Sequence, residues 1–260
     1  MKLRLKSIKN RSKSMLLDLK NRMEVMHELD YTKHRLYLCD NVRIESCKKE
    51  PGTVRWIESF QEHETAFDIG ANVGAYSLLM ALYAKAVYAF EPAISNFTLL
   101  CKNILVNQAK GTLPSPVTPF NIALSEKTGL QTLNYINVRA GKSGHQIGRT
   151  QDGFGQGFKP RYSHPMLCYS LDSFLETFGV DTPSHLKIDV DGIEWAILQG
   201  AANTLTDKRL RSILVEVQEG TPEQKQIDLY LKSKQFEPVE KHLLDPATGF
   251  HNYLFRRQSG

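Results

Sequence analysis

The stretch that decides the fold is TAFDIGANVG, residues 65–74. It reads as a β-run ending on Asp68, then a glycine turn through Gly70 and Gly74 that opens an apolar helix. Working outward, the next apolar run closes as Val87-Tyr88-Ala89-Phe90-Glu91-Pro92. A carboxylate therefore stands roughly 20 residues beyond the turn. The glycines let a ligand approach the backbone, and Glu91 can accept hydrogen bonds from both hydroxyls of a ribose. Together they describe a pocket for an adenosine-type cofactor.

The details of the turn narrow the cofactor. A dinucleotide fingerprint wants G-x-G-x-x-G, whereas Gly70 and Gly74 give G-x-x-x-G behind an acid. A pyrophosphate favours the positive end of a helix, and Asp68 at the strand tip would repel it. That carboxylate suits a cationic ligand, such as the amino group of S-adenosylmethionine. No G-x-x-x-x-G-K-[ST] sequence occurs, so a P-loop is excluded.

Further out, strands and helices alternate. Strands are expected at 65–69, 86–90, 117–123, 131–137, 185–190 and 211–217, and helices at 76–83, from Ile94 to about Asn107, at 171–178 behind Ser170, and at 193–205. Thr221-Pro222 with Gln224 starts another helix as a capping box. A hairpin, 237–242 with 252–256, closes the chain, and 39–45 could add a short strand pair. This pattern implies an α/β, doubly wound sheet, with ligands at the carboxyl ends of its strands. The domain is expected over 64–257, preceded by a basic helical and mixed segment, 1–63. The stretch 139–165 is rich in glycine and lacks a sustained apolar period. A loop of that length is usually functional, and we read it as a lid.

The 260 residues are 41% hydrophobic and 23% charged, a soluble globular composition with formal charge +5. No apolar run approaches the roughly 18 residues of a membrane span, and the basic start is not followed by the apolar core of a secretory signal. Cys39, Cys47, Cys101 and Cys168 show no zinc spacing and fit reduced thiols in a cytoplasmic protein. Lys2, Arg4, Lys6, Lys9, Arg11, Lys13, Lys20 and Arg22 crowd the first 22 residues. They read as a solvated arm, with contact to an anionic membrane surface or an acidic partner as the functional alternative. The signal for nucleic acid is weak.

With these residues in view, the chain resembles the FkbM-type methyltransferases, a class I family dependent on S-adenosylmethionine. The resemblance rests on FDIGANVGAYSLLMA at 67–81, AFEPAISNF at 89–97, NIALSEKTG at 121–129, SLDSF at 170–174 and LKIDVDGIEWAILQGA at 186–201, with ILVEVQ at 213–218. It implies a Rossmann-like seven-stranded sheet with an antiparallel last strand. It also implies methyl transfer, mostly to a hydroxyl oxygen of a sugar, glycan, lipid or other small molecule; some relatives methylate peptide nitrogen. It sets Asp68, Gly70, Asn72 and Gly74 around the methionine part of the cofactor. Glu91 and Pro92 fall at the ribose, Ala123 and Leu124 against the adenine, and Asp189 toward the methyl group or the acceptor.

An alcohol becomes a good nucleophile only as its proton leaves, so a base within reach helps. Asp189, at a strand tip, is the first candidate; Asp191 and the loop residues His145 and His164 are the others. Asp191-Gly192 also reads as a turn and Glu194 as a helix cap. Lys187 receives no role. Asp189, Asp191 and Glu216 are hard oxygen ligands that could suit magnesium, but the Asp-Asn pair of catechol-type enzymes is missing, and a metal is not favoured. A non-catalytic protein on the same fold is the other class of reading; the intact turn with Glu91 and Asp189 favours the enzyme.

Overall fold

The computed structural model describes residues 26–151 and 156–258. The basic run before residue 23, and Gly153 and Gly155 of the glycine-rich stretch, lie outside the described residues.

Seven strands form the main sheet: β3 (Thr65–Ile69), β4 (Ala86–Phe90), β5 (Val117–Phe120), β10 (His185–Ile188), β11 (Ser212–Gln218), β12 (Phe236–Asp245) and β13 (Phe250–Arg257). Their order is β12-β13-β11-β10-β3-β4-β5. β13 runs antiparallel between β11 and β12, and the other neighbours are parallel. This is the seven-stranded sheet with a reversed last strand that the resemblance implies. Sequence order reverses between β3 and β10, so their carboxyl ends make the crevice in which such sheets bind ligands.

Alternation along the strands builds a core on each face. Ala66, Val87, Ala89 and Leu214 face α2 (Pro51–Glu58), α3 (Ala75–Met80) and α4 (Ile94–Lys110). Phe67, Phe90, Leu186 and Val215 face α5 (Leu171–Phe178), α6 (Glu194–Gln199) and α7 (Pro222–Ser233). Ser170 and Thr221 cap α5 and α7 as their sequences require. Among the described residues no helix is long and apolar enough to cross a membrane.

The described residues before Glu64, from Met26 on, do not stand apart. Leu29, Leu36, Trp56 and Ile57 share the first core with Ala66 and Leu79, so no domain boundary falls at residue 63. The short ribbon there pairs β1 (His27–Glu28) with β2 (Tyr37–Leu38), not strands within 39–45.

Other differences follow from side-chain hydrogen bonds. Strand 117–123 breaks at Phe120, because Asn121 donates to the carbonyls of Glu91 and Pro92. The chain then leaves the main sheet, and β6 (Ala123–Leu124) joins a second sheet, β6-β9-β7-β8, with β7 (Gly129–Tyr135), β8 (Gln146–Ile147) and β9 (Tyr162–Tyr169). The stretch 139–165 thus holds β8 and the start of β9, so it is only in part a loop. The expected helix 193–205 stops at Gln199, where Asp172 accepts from the amides of Asn203 and Thr204 and holds a separate turn.

Candidate functional site

The turn after β3 is built by backbone that only glycine accepts readily. Gly70 has φ +83° and Gly74 φ +88°. A Cβ on Gly70 would overlap the Asp189 carbonyl oxygen, and one on Gly74 would meet Leu100. The tips of β3 and β10 touch because residue 70 has no side chain. The amides of Gly70 and Ala71 both reach Phe90 O at 3.0 Å, while Asn72 N donates to Glu91 Oε2 at 2.8 Å. Ala93 N donates to the other Glu91 oxygen at 2.9 Å. Burial still pushes the Glu91 carboxyl up, to about 7, against these donors. Asn72, itself at φ +51°, leaves its Oδ1 buried with no hydrogen-bond partner.

Gly70, Ala71, Asn72 and Glu91 line a cavity of about 160 Å3 that also takes in Pro92, Asn96, His145, Asp189 and Asp191. A narrow apolar slot of about 30 Å3 continues from it between Ile69, Phe90, Ala123, Leu124 and Ile147, with Pro92 and His145 shared by both. Of the residues expected at a cofactor, Gly70, Asn72, Glu91, Pro92, Ala123, Leu124 and Asp189 line these spaces. Gly74 shapes the turn from behind.

Asp68 does not line the cavity. It is 1% exposed and lies beneath the wall. Ser77 Oγ donates to its Oδ2 at 2.6 Å, and Lys187 Nζ lies 3.6 Å from its Oδ1. The reason is register: Lys187 and Asp68 are direct partners across β10 and β3. The lysine that received no role is in the wall, with Nζ 2.8 Å from Asp189 Oδ2. Burial opposes its charge, but Asp189, Asp68 and Glu50 more than offset this and hold its pKa above that of a free lysine. The alternation K-x-D in Lys187-Ile188-Asp189 could have revealed it, since residues two apart on a strand share a face.

Glu50, Tyr76 and Glu216 complete this end of the cavity. Glu50 accepts from Thr53 Oγ1 and Asn252 Nδ2, and burial beside Asp189 raises its pKa. Burial with Asp189 and Asp191 nearby pushes Glu216 up to about 10. Nothing in the sequence signalled Glu50; folding of the leading segment onto the first core brings it here. Among the described residues no three His, Cys, Asp or Glu side chains form a metal site.

Several hydrogen bonds tie the glycine-rich stretch over the cavity. Gly141 N donates to Asn96 Oδ1 at 2.8 Å, Asn96 Nδ2 to Lys142 O at 3.0 Å, and Gly144 N to Asp191 Oδ2 at 2.6 Å. Asp191 is thus both a turn residue, at φ +62°, and a latch. Burial and Asp189 push its carboxyl up to about 6. Glu194, expected as a helix cap, instead accepts from the amides of Val190 and Gly192 and ties the turn ahead of α6, whose start carries no side-chain cap. His164 lies on β9, bonded to Tyr135 Oη at 3.2 Å, and lines neither space.

His145 is placed differently. Its ring lies 4.8 Å from that of Tyr135, and both ring nitrogens are buried without a hydrogen-bond partner. Burial lowers its pKa to about 4, so the ring is neutral at pH 7. Buried polar atoms are nearly always paired. Both unpaired nitrogens belong to a residue of the cavity wall.

Comparison with known proteins bears on the family and the fold. Residues 68–238 match the Methyltransferase FkbM domain. Over 179 residues the chain is 27% identical to the hexuronic acid methyltransferase AglP of Haloferax volcanii, covering 68% of this chain and 66% of that protein, just under two thirds of its length. The fold matches the crystal structure of a methyltransferase FkbM from Methylobacillus flagellatus KT, with TM-score 0.51 and 14% identity over 76% of this chain and 44% of that one. A tRNA methyltransferase of M. jannaschii matches with TM-score 0.50 and 14% identity, over 92% of this chain and 59% of that one.

Proposed function

The chain belongs to the FkbM methyltransferase family, and we propose that it transfers a methyl group from S-adenosylmethionine to a hydroxyl oxygen of a sugar or glycan. The observation that carries this reading is His145: a neutral, desolvated ring with two unpaired nitrogens, facing the cavity that Gly70, Glu91 and Asp189 also line.

The residues present suit the cofactor piece by piece. The apolar slot between Ala123 and Leu124 fits an adenine, Glu91 the ribose hydroxyls, and the turn from Gly70 to Asn72, with its unpaired Oδ1, the methionine part. When bound, S-adenosylmethionine supplies a methyl group whose S–C bond breaks as the O–C bond forms, with S-adenosylhomocysteine leaving.

The chain's own groups manage the proton and the alignment. His145 takes the hydroxyl proton as the oxygen is methylated. Asp189, held by Lys187 at 2.8 Å, orients that hydroxyl. Glu216, protonated at pH 7, can donate to a sugar oxygen. Asp191 holds the lid closed through Gly144 and keeps water out. Arg43 and Lys142 also line the cavity and could meet an acceptor carboxylate. The relative named for hexuronic acid supports a sugar acceptor.

The test is methyl transfer from labelled S-adenosylmethionine to a panel of neutral sugar glycosides, hexuronates, lipids and peptides. Transfer to sugar hydroxyls should dominate. Transfer to peptide nitrogen, or cofactor binding without any transfer, would overturn the reading.

A further inference from the structure

β10 and the residue just past its end bring two opposite charges together, because Lys187 and Asp189 are two residues apart. The parallel register then sets Lys187 beside Asp68. Its ammonium lies 2.8 Å from Asp189 Oδ2, 3.6 Å from Asp68 Oδ1 and 5.3 Å from the centre of the Tyr76 ring, and the residue is 1% exposed. Asp68 Oδ1 has no hydrogen bond and faces the ammonium alone. Glu50, Asp191 and Glu216 line the same cavity. A buried lysine persists only where it is paired. Carboxylates gathered in one desolvated space cannot all ionise without a cation among them.

We propose that Lys187 is a positioning residue, the built-in counter-cation of the acceptor end, which holds Asp189 aimed at the acceptor hydroxyl. The lysine need not touch the substrate. Its volume alone does not serve; what matters is a positive charge on a compact donor at that point. The effect on turnover rests on the methyl-transfer reading, whereas the cation site itself does not.

The experiment compares Lys187→Met, which keeps the bulk without the charge, with Lys187→Ala, which opens a hole, in the full chain. Both should lose turnover by roughly 10²-fold or more, with affinity for S-adenosylmethionine changed only a few-fold. Methylammonium chloride should restore at least about tenfold of the lost rate in Lys187→Ala and none in Lys187→Met, in which the hole is filled. Tetramethylammonium chloride at equal ionic strength should restore nothing. Thermal melting supplies a readout that needs no acceptor: methylammonium should raise the melting temperature of Lys187→Ala and leave the wild type unmoved. Wild-type turnover in Lys187→Met, or no response of Lys187→Ala to methylammonium in either rate or melting, would overturn the proposal. If Lys187→Ala does not fold, Lys187→Met decides it: lost turnover with retained cofactor affinity supports the counter-cation, and joint loss of cofactor binding overturns it. Failure of the wild type to methylate any acceptor would sink the methyl-transfer reading and still leave the melting arm intact.

Discussion

His185 and His145 are both pushed by burial to a pKa of about 4, yet they are held in opposite ways at opposite ends of the sheet. His185 opens β10, at the amino end of the strands. Trp56 Nε1 can only donate, and it donates to Ser212 Oγ at 2.8 Å. The serine proton is then free for His185 Nδ1 at 2.8 Å, which leaves His185 Nε2–H to donate to Glu64 at 2.8 Å. Phe60 stacks on the ring at 3.8 Å. Every polar atom of that ring is used. His145, at the carboxyl end, uses none. Burial alone therefore does not mark a functional histidine. The role proposed for His145 draws instead on its missing partners beside a cavity.

The largest expected effect on stability lies at the amino end. His185→Ala removes two buried hydrogen bonds and a stacked ring, and should destabilise the fold by about 2–4 kcal/mol. His145→Ala removes no bond and should stay within about 0.5 kcal/mol of wild type. Urea titration of both variants checks this; equal losses would break the contrast. The sign with pH follows. The folded pKa of His185, about 4, lies below that of a free histidine at about 6.5. Its contribution is full above pH 6.5 and is lost as pH falls toward 4. The stability difference between wild type and His185→Ala should shrink across that window.

A smaller effect is expected in the turn. Glu91→Ala removes the proposed ribose acceptor and should weaken S-adenosylmethionine binding by about 1–3 kcal/mol, measured by calorimetry. Unchanged affinity in a folded variant would remove Glu91 from the cofactor site.

Much of the scaffold was legible in the sequence because its signals are local. Strands Thr65–Ile69 and Ala86–Phe90 and helix Leu171–Phe178 fall where period and caps put them. The position of Glu91 relative to Gly70 likewise follows from one strand-turn-helix unit. Around the same cavity, Asp189, Asp191, His145 and Glu216 were named as candidates from the sequence, but Glu50 and Lys187 were not, since long-range packing brings them there. Glu50 comes from a segment without a motif, and Lys187 was hidden because a charged residue inside a buried strand reads as an exception. The second sheet was missed for a related reason: the first half of β9 carries Ser163, His164 and Pro165, which break the apolar alternation and disfavour a strand.

The account rests on His145 as the proton acceptor of the transfer, so the deciding measurement is single-turnover methyl transfer by His145→Ala beside calorimetry of its cofactor affinity. The account predicts a rate lower by roughly 10²–10⁴ with S-adenosylmethionine bound as in the wild type. A wild-type rate in that variant, or a loss that appears only in cofactor affinity, would contradict it.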